Sequence, residues 1–489
     1  MGHEHETITK NIPGRETLDN QASRCASQPL NIDFCNHSAS LRALYSDHVV
    51  ISLHDVSASH SPMSNRVILC AQQQKISGPL DNVILPKFPK RPKVVLIGGT
   101  GRVGSSTASN LLKTIPEAEI YLGSRTRQTF DAALQRRPDL VNASHIQLDI
   151  NDQSSVERAI QGADLVVHTA GPFQRKQECS VLQAAISCKV PYLDVCDDTE
   201  YCQKARRLHK DATNAGVPAI TTGGIYPGVS NVMAAYMIES ARESSTDDGS
   251  EKSPTPSRIL YSYFTAGTGG AGPTILETTF LLAGEPVIAY KDGRAVTLPP
   301  VSNRRVVDFG KAVGKKSVYL YSLPEVASGH EIFGVPSISA RFGTAPEPWN
   351  WGMVAMARLV PQRILENPTS VSRLAKFLDP VIRAIDSIVG EQVAMLVEVE
   401  FPDNKIAAGL FVHDKLSESV GTSTAAFAAC MLAGQSKPGV WFPEQQEAIP
   451  DRSLLLQLAS QGTKQFLLNK SPFQLAADPV QLGFGIYIE

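Results

Sequence analysis

One short passage constrains this 489-residue chain more than any other. The apolar run Val94-Val95-Leu96-Ile97 leads directly into Gly98-Gly99-Thr100-Gly101-Arg102-Val103-Gly104. Ala108, Leu111, Leu112 and Ile115 then recur at helical spacing before Pro116, so strand, glycine turn and amphipathic helix follow in that order. A dinucleotide-binding loop has this order. Gly99 is expected to make the tight turn, Gly101 to let the backbone approach a pyrophosphate, and Gly104 to let the helix pack on the strand. Thr100, Arg102 and Val103 complete the loop, with the phosphates facing the unpaired N–H groups of the helix N-terminus.

Which dinucleotide binds is decided at the end of the second strand. Glu119 to Leu122 reads as that strand, and an NAD site places Asp or Glu at its end to accept from the ribose 2′-hydroxyl. This chain has Gly123-Ser124-Arg125-Thr126-Arg127 there. Ser124 and the guanidinium of Arg125, with Arg127 beside it, suit a 2′-phosphate. NADP is therefore the expected cofactor, against the plainer reading of solvated loop arginines.

The alternation continues with strands at His145 to Ile150, Ala163 to Thr169, Pro191 to Val195 and Val217 to Thr222. Helices at Ser154 to Ile160, Cys179 to Ser187 and Glu200 to Asn214 intervene. Such a series builds a Rossmann-type, doubly wound parallel sheet. Ligands bind off the carboxyl ends of its strands, which puts Asp149, Thr169-Ala170-Gly171 and the Asp194 to Asp198 region in the expected cleft. Asp149 reads either as an acceptor for the adenine amino group or as the acid opening the next helix.

Four passages together carry a resemblance: the glycine loop, His168-Thr169-Ala170-Gly171-Pro172-Phe173, Tyr192-Leu193-Asp194-Val195-Cys196-Asp197, and Gly223-Gly224-Ile225-Tyr226-Pro227-Gly228-Val229-Ser230-Asn231. The chain resembles the saccharopine dehydrogenase-like oxidoreductases from about Lys93 to Glu444, and is most similar to their plant and cyanobacterial branch. The resemblance implies NADP-dependent hydride transfer, by analogy at the C–N bond of an imine or secondary amine. It also implies that the Ala-rich helix from Ser419 to Ala433 returns to the cofactor domain. The basic and polar residues with which authentic saccharopine dehydrogenases hold saccharopine have no counterparts identified in this sequence. Related proteins reduce C=C bonds, and an NADP-binding protein without catalysis is a third reading. A wide apolar cleft favours C=C reduction, whereas a cleft with no proton donor favours plain binding.

After Asn231 the alternation stops. A helix at Val232 to Glu243 and a polar loop from Ser244 to Pro254 lead to strands at Arg258 to Thr265, Val306 to Phe309, Ser317 to Ser322, Ser337 to Phe342 and Ala394 to Phe401. These are spaced as an antiparallel α+β substrate domain. Gly267 to Pro273 is a second glycine turn before a helix, either an anion cradle or a connector. The chain thus divides into an extension over 1–90, the NADP-binding domain over 91–232, the substrate domain over 233–414, and a returning helix and tail over 415–489. Tyr226, Asp194 and Asp197 are the candidate catalytic groups. Tyr226, just past the sixth strand, is either a proton donor whose pKa a nearby cation lowers or a packing aromatic.

Forty-six Lys and Arg against forty-eight Asp and Glu argue against a nucleic-acid partner. No apolar run reaches the length of a membrane span, and the amphipathic stretch from Phe377 to Val397 reads as a half-buried helix and strand rather than a membrane-surface helix. A small-molecule substrate is the expected partner, with a homodimer as one option. The eight cysteines form no Cys-x-x-Cys pair, so no metal is expected, and Cys196 reads as a small apolar filler. The first ninety residues hold six of the eleven His and much Ser, Asn and Gln, which suggests a largely disordered extension. His3 and His5 beside Glu4 read as a solvated tail. The family resemblance favours the chloroplast, and the acids Glu4, Glu6, Glu16 and Asp19 favour the cytoplasm.

Overall fold

The structure, a computed structural model, describes residues 84–246, 255–267, 273–476, 481–482 and 486–487. The expected extension lies outside the described residues as far as 83, as do 247–254 of the polar insert and 268–272 of the second glycine turn.

Strand β1 (Lys93–Ile97) delivers the glycine turn into α1 (Arg102–Thr114), and β2 (Glu119–Ser124), α2 (Arg127–Arg136), β3 (Ser144–Gln147) and α3 (Gln153–Ile160) follow. The chain then crosses to the other side of β1 for β4 (Leu165–His168), α4 (Ser180–Cys188), β5 (Tyr192–Asp194), α5 (Thr199–Arg207), α6 (His209–Ala215) and β6 (Pro218–Ile220). Val94 to Ile97 and Leu165 to Val167 are fully buried, as the central strands of a sheet covered on both faces must be. Every pair in this sheet is parallel, in the order β15-β6-β5-β4-β1-β2-β3, where β15 is the late strand Gly439–Trp441. The order reverses between β1 and β4, which leaves a crevice off their carboxyl ends. The helix expected from Glu200 to Asn214 is broken at Leu208, where the end of α5 and the start of α6 share one non-helical residue.

Helix α7 (Val229–Thr246), three residues longer at each end than expected, leads into the second sheet. Next come β7 (Arg258–Ala266), α8 (Pro273–Ala283), the hairpin β8 (Val287–Lys291) and β9 (Arg294–Leu298), β10 (Ser302–Asp308), β11 (Lys315–Leu320), α9 (Pro324–Phe333) and β12 (Ser337–Ala345). Helices α10 (Glu347–Leu359), α11 (Gln362–Leu365) and α12 (Pro368–Val389) precede β13 (Gln392–Glu400) and β14 (Ile406–His413). The sheet is mixed rather than antiparallel, because β12 runs parallel to β7 over its whole length while the other pairs are antiparallel. The β8–β9 hairpin turns on Asp292-Gly293, both at positive φ, a dipeptide suited to a tight hairpin.

The last segments serve both sheets. Helix α13 (Leu416–Leu432) packs along α1, and β15 (Gly439–Trp441) extends the parallel sheet beside β6. After α14 (Arg452–Ala459), β16 (Gln465–Lys470) joins the mixed sheet beside β14. Contact between α1 and α13 is close because both present small residues. A Cβ at Gly421 would lie 2.2 Å from the Ser106 hydroxyl oxygen, and Ser105, Ser106, Thr107 and Ser109 are all buried. Glu418 stitches the pair together, accepting from Ser106 at 2.9 Å and pairing with Arg137.

Candidate functional site

A single cavity of about 860 Å³ opens off the β1–β4 crevice and runs from the glycine loop to the mixed sheet. Its first end is made largely of backbone. Gly98 has φ +76° and a Cβ there would press within 2.9 Å of Ala170, so Gly98 makes the tight turn rather than Gly99. Gly99 is instead packed inward, where a Cβ would meet Leu96 and Leu122, and it is the one expected loop residue off the cavity wall. At Gly104 a Cβ would lie 2.5 Å from the Gly98 carbonyl oxygen and 2.6 Å from the Thr169 hydroxyl. Gly101 has only the Gly98 oxygen nearby, at 3.1 Å. Space is therefore open over Gly101, on the wall formed with Thr100, Arg102 and Val103. Gly101 is also the N-cap of α1 and makes no side-chain cap. The first-turn amides are thus left for an anion, so the cradle fits a pyrophosphate.

The two arginines after β2 behave differently. Ser124 and Arg125 both line the cavity. Ser124 Oγ donates to the Thr126 carbonyl and meets His145 Nε2 at 3.0 Å, and the Arg125 side chain is exposed. Arg127 is off the wall, paired with Asp131 at 3.1 Å and lying over the Phe130 ring. Asp149 lines the cavity and accepts from the Asn151 amide at 3.0 Å, whereas the helix cap of α3 is Asp152. Thr169, Ala170 and Gly171 line the cavity too, and Thr169 Oγ1 is tied back to the Ile97 carbonyl at 3.0 Å.

Asp194 and Asp197, three residues apart, take opposite roles. Asp194 is fully buried and absent from the cavity wall. Its carboxylate accepts from the Thr222 amide at 2.8 Å, the Tyr192 hydroxyl at 2.9 Å, the Cys196 amide at 3.0 Å and the Thr221 hydroxyl at 3.1 Å. With its lone pairs taken up in this way it ties the ends of β5 and β6 together, behind the cavity wall rather than on it. Asp197 is half-buried on the cavity wall. Desolvation raises its carboxyl to about 6, the Gln174 hydrogen bond works against that rise, and Asp198 adds repulsion.

Tyr226 also lines the cavity, with its hydroxyl 2.8 Å from Thr265 Oγ1 and its ring stacked on Tyr263 at a centroid distance of 4.5 Å. Burial pushes its pKa upward rather than down, so it is a neutral phenol with a side-chain partner. Cys196 is buried and its thiol is raised by desolvation, which fits the filler reading. The described cysteines form no disulfide, and no metal-binding cluster occurs among the described residues.

Gln174 went unnoticed in the sequence. It is buried, donates to Asp197 Oδ1 at 2.9 Å and accepts from Thr278 Oγ1 of α8 at 3.3 Å, which joins the two sheets at the carboxyl. No sequence signal marks such a residue, because its partners lie 23 and 104 positions away. Helix α8, the second sheet and the segment after β11 contribute Thr278, Thr279, Leu282, Tyr321, Leu323 and Phe342 to the wall, and α13 adds Leu416 and Val420.

Comparison with known proteins agrees with this geometry. Residues 94–220 match the saccharopine dehydrogenase NADP binding domain. A protein of Mycobacterium tuberculosis, named as a candidate trans-acting enoyl reductase, is 24% identical over 200 residues, 40% of this chain. That match spans 46% of the relative, so the likeness covers just under half of the relative's length. Among solved structures, apo saccharopine dehydrogenase (L-Glu forming) from Saccharomyces cerevisiae aligns over 75% of this chain and 96% of its own, with a TM-score of 0.51 at 13% identity. That likeness is one of fold. The match assigns residues 94–220 to a saccharopine dehydrogenase-type NADP binding domain, set in a parallel sheet beside a second, mixed sheet.

Proposed function

We propose that this protein is an NADPH-dependent reductase of a C=C bond in an apolar small molecule. One observation carries the reading: among the described residues, the second sheet and α8 give the cavity wall only neutral side chains. A substrate bearing several carboxylates or ammonium groups needs charged partners in a desolvated site. Here the chamber end offers Phe173, Ile225, Leu282, Leu323 and Phe342 instead, with Lys176 the one cation on the wall besides Arg102 and Arg125. The enoyl-reductase name of the mycobacterial relative supports the same bond class.

In this reading the Gly98–Gly104 loop and the first-turn amides of α1 hold the pyrophosphate, and Ser124 with Arg125 holds the 2′-phosphate. The reduced nicotinamide supplies a hydride when bound. The apolar walls exclude water and orient the substrate by shape. Asp197, with its carboxyl near 6, holds a proton in mildly acidic solution and delivers it to the carbon left with the electron pair once its neighbour is reduced. Gln174 fixes the orientation of that carboxyl. Tyr226, hydrogen-bonded to Thr265, shapes the wall beside it.

The test is NADPH consumption against a panel of apolar conjugated alkenes, cyclic imines and amino-acid adducts. Turnover with the alkenes is the expected result. Turnover confined to imines or adducts would return the protein to C–N chemistry, and tight NADPH binding without turnover of any member would leave a binding protein.

A further inference from the structure

Helix α8 supplies Thr278, Thr279 and Leu282 to the cavity wall, and on it rest α10, α11 and α12. These three helices are two-faced. Met353, Leu365, Val371 and Ala375 point inward and are buried, with Leu365 packed over Gly284 at the end of α8. Outward stand Trp351, Leu359, Ile364 and Phe377, at 61, 80, 41 and 78% exposure, four of the ten large exposed hydrophobics among the described residues. On α10 the outward residues Trp351, Ala355, Arg358 and Leu359 share one helical stripe, and on α12 Arg373, Lys376 and Phe377 share another.

Charge is as uneven as hydropathy. Among the described side chains of α10–α12 the exposed ionic residues are Arg358, Arg363, Arg373 and Lys376 against Glu366, while the acids Glu347 and Asp379 are half-buried, in a chain whose formal charge is -2. Bulky apolar side chains interleaved with cations match an interface whose headgroups are anionic and whose interior is hydrocarbon. A second copy of the chain fits less well, because a two-fold contact sets this cationic patch against itself. No helix among the described residues is long and apolar enough to cross a membrane, so the match is to a surface and not a span.

We propose that the outer face of α10–α12 docks on an anionic lipid surface, with Trp351, Leu359 and Phe377 entering the interface and the four cations facing its headgroups. The proposal stands independently of the bond that the enzyme reduces.

The experiment is sedimentation of the full chain with phosphatidylcholine vesicles, with and without phosphatidylglycerol, at low and high salt. Light scattering of the free protein and NADPH titration accompany each variant. The parent is expected to sediment with anionic vesicles, weakly with neutral ones, and less at high salt. Trp351→Ser, Leu359→Ser and Phe377→Ser combined are expected to lower partitioning by about tenfold or more. Each of Arg358→Glu, Arg363→Glu and Lys376→Glu lowers it by about fivefold or more on anionic vesicles. All of these variants keep NADPH affinity, since none lines the cavity. The proposal is overturned if the parent does not sediment, or if the triple serine variant sediments as well as the parent. It is also overturned if the parent is a dimer that the triple variant splits while neither binds vesicles, which would make the face a contact between copies.

Discussion

The two ends of the cavity are built by opposite means. At the glycine-loop end the surface is chiefly backbone: Gly98, Gly101, Gly104 and Gly123, with the uncapped first turn of α1. At the chamber end it is side chains brought from the loops after β4, β5 and β6, from α8, from the second sheet and from α13. A backbone surface recognises what every dinucleotide shares, a pyrophosphate. A side-chain surface recognises what differs between substrates, and its tolerance for change follows: glycines cannot be replaced where space is closed, whereas a chamber wall can be re-lined residue by residue.

The largest effect that would break this contrast is at the loop. Gly101→Val fills open space over the cradle and is expected to weaken NADPH binding by about a hundredfold or more, about 3 kcal/mol, while thermal unfolding stays close to parental. Gly104→Val meets backbone and Thr169 at under 2.7 Å and is expected to lose the fold as well. Calorimetry beside fluorescence titration separates the two, and an NADPH-competent Gly101→Val would show the loop to be a mere connector.

Next comes the carboxyl pair. Asp197→Asn is expected to cut kcat by about a hundredfold with NADPH affinity intact, because it removes the proton and not the cofactor site. Asp194→Asn turns an acceptor of hydrogen bonds from four donors into a group with a donor edge, and costs about 1–3 kcal/mol of stability. If Asp194→Asn is fully stable and only turnover falls, the roles have been exchanged. Arg125→Asp follows, with NADPH affinity falling about tenfold and NADH affinity unchanged or improved. Equal affinity of the parent for the two nucleotides removes the 2′-phosphate assignment.

The smallest effect is a pH shift. Reduction needs Asp197 protonated, so the rate is expected to fall as pH rises through about 6. Gln174→Met deletes the donor that lowers this pKa, so the falling limb moves to higher pH, by about one unit. A change in KM for NADPH with an unmoved limb would make Gln174 a packing residue only.

The glycine turn and the strand–helix alternation were legible because each is local: turn geometry, helix start and strand patterning act over a few residues. Even there, the duty of Gly98 was assigned to its neighbour, since a left-handed φ is a property of the folded turn. The β8–β9 hairpin carried its Asp292-Gly293 signal openly and was missed beside longer strands. The parallel β7–β12 pair was not readable, because strand order depends on the path of the intervening chain and not on the alternation within either strand. Asp194 and Asp197 are chemically identical in sequence, and only the packing of β5 against β6 decides that one is locked by Thr221 and Thr222 while the other faces the cavity beside Gln174. The sequence by itself determined a dinucleotide-binding α/β domain, since that rests on contiguous backbone. The largely apolar chamber was decided by the tertiary structure alone, because desolvation and charge pairing depend on which distant side chains share one space.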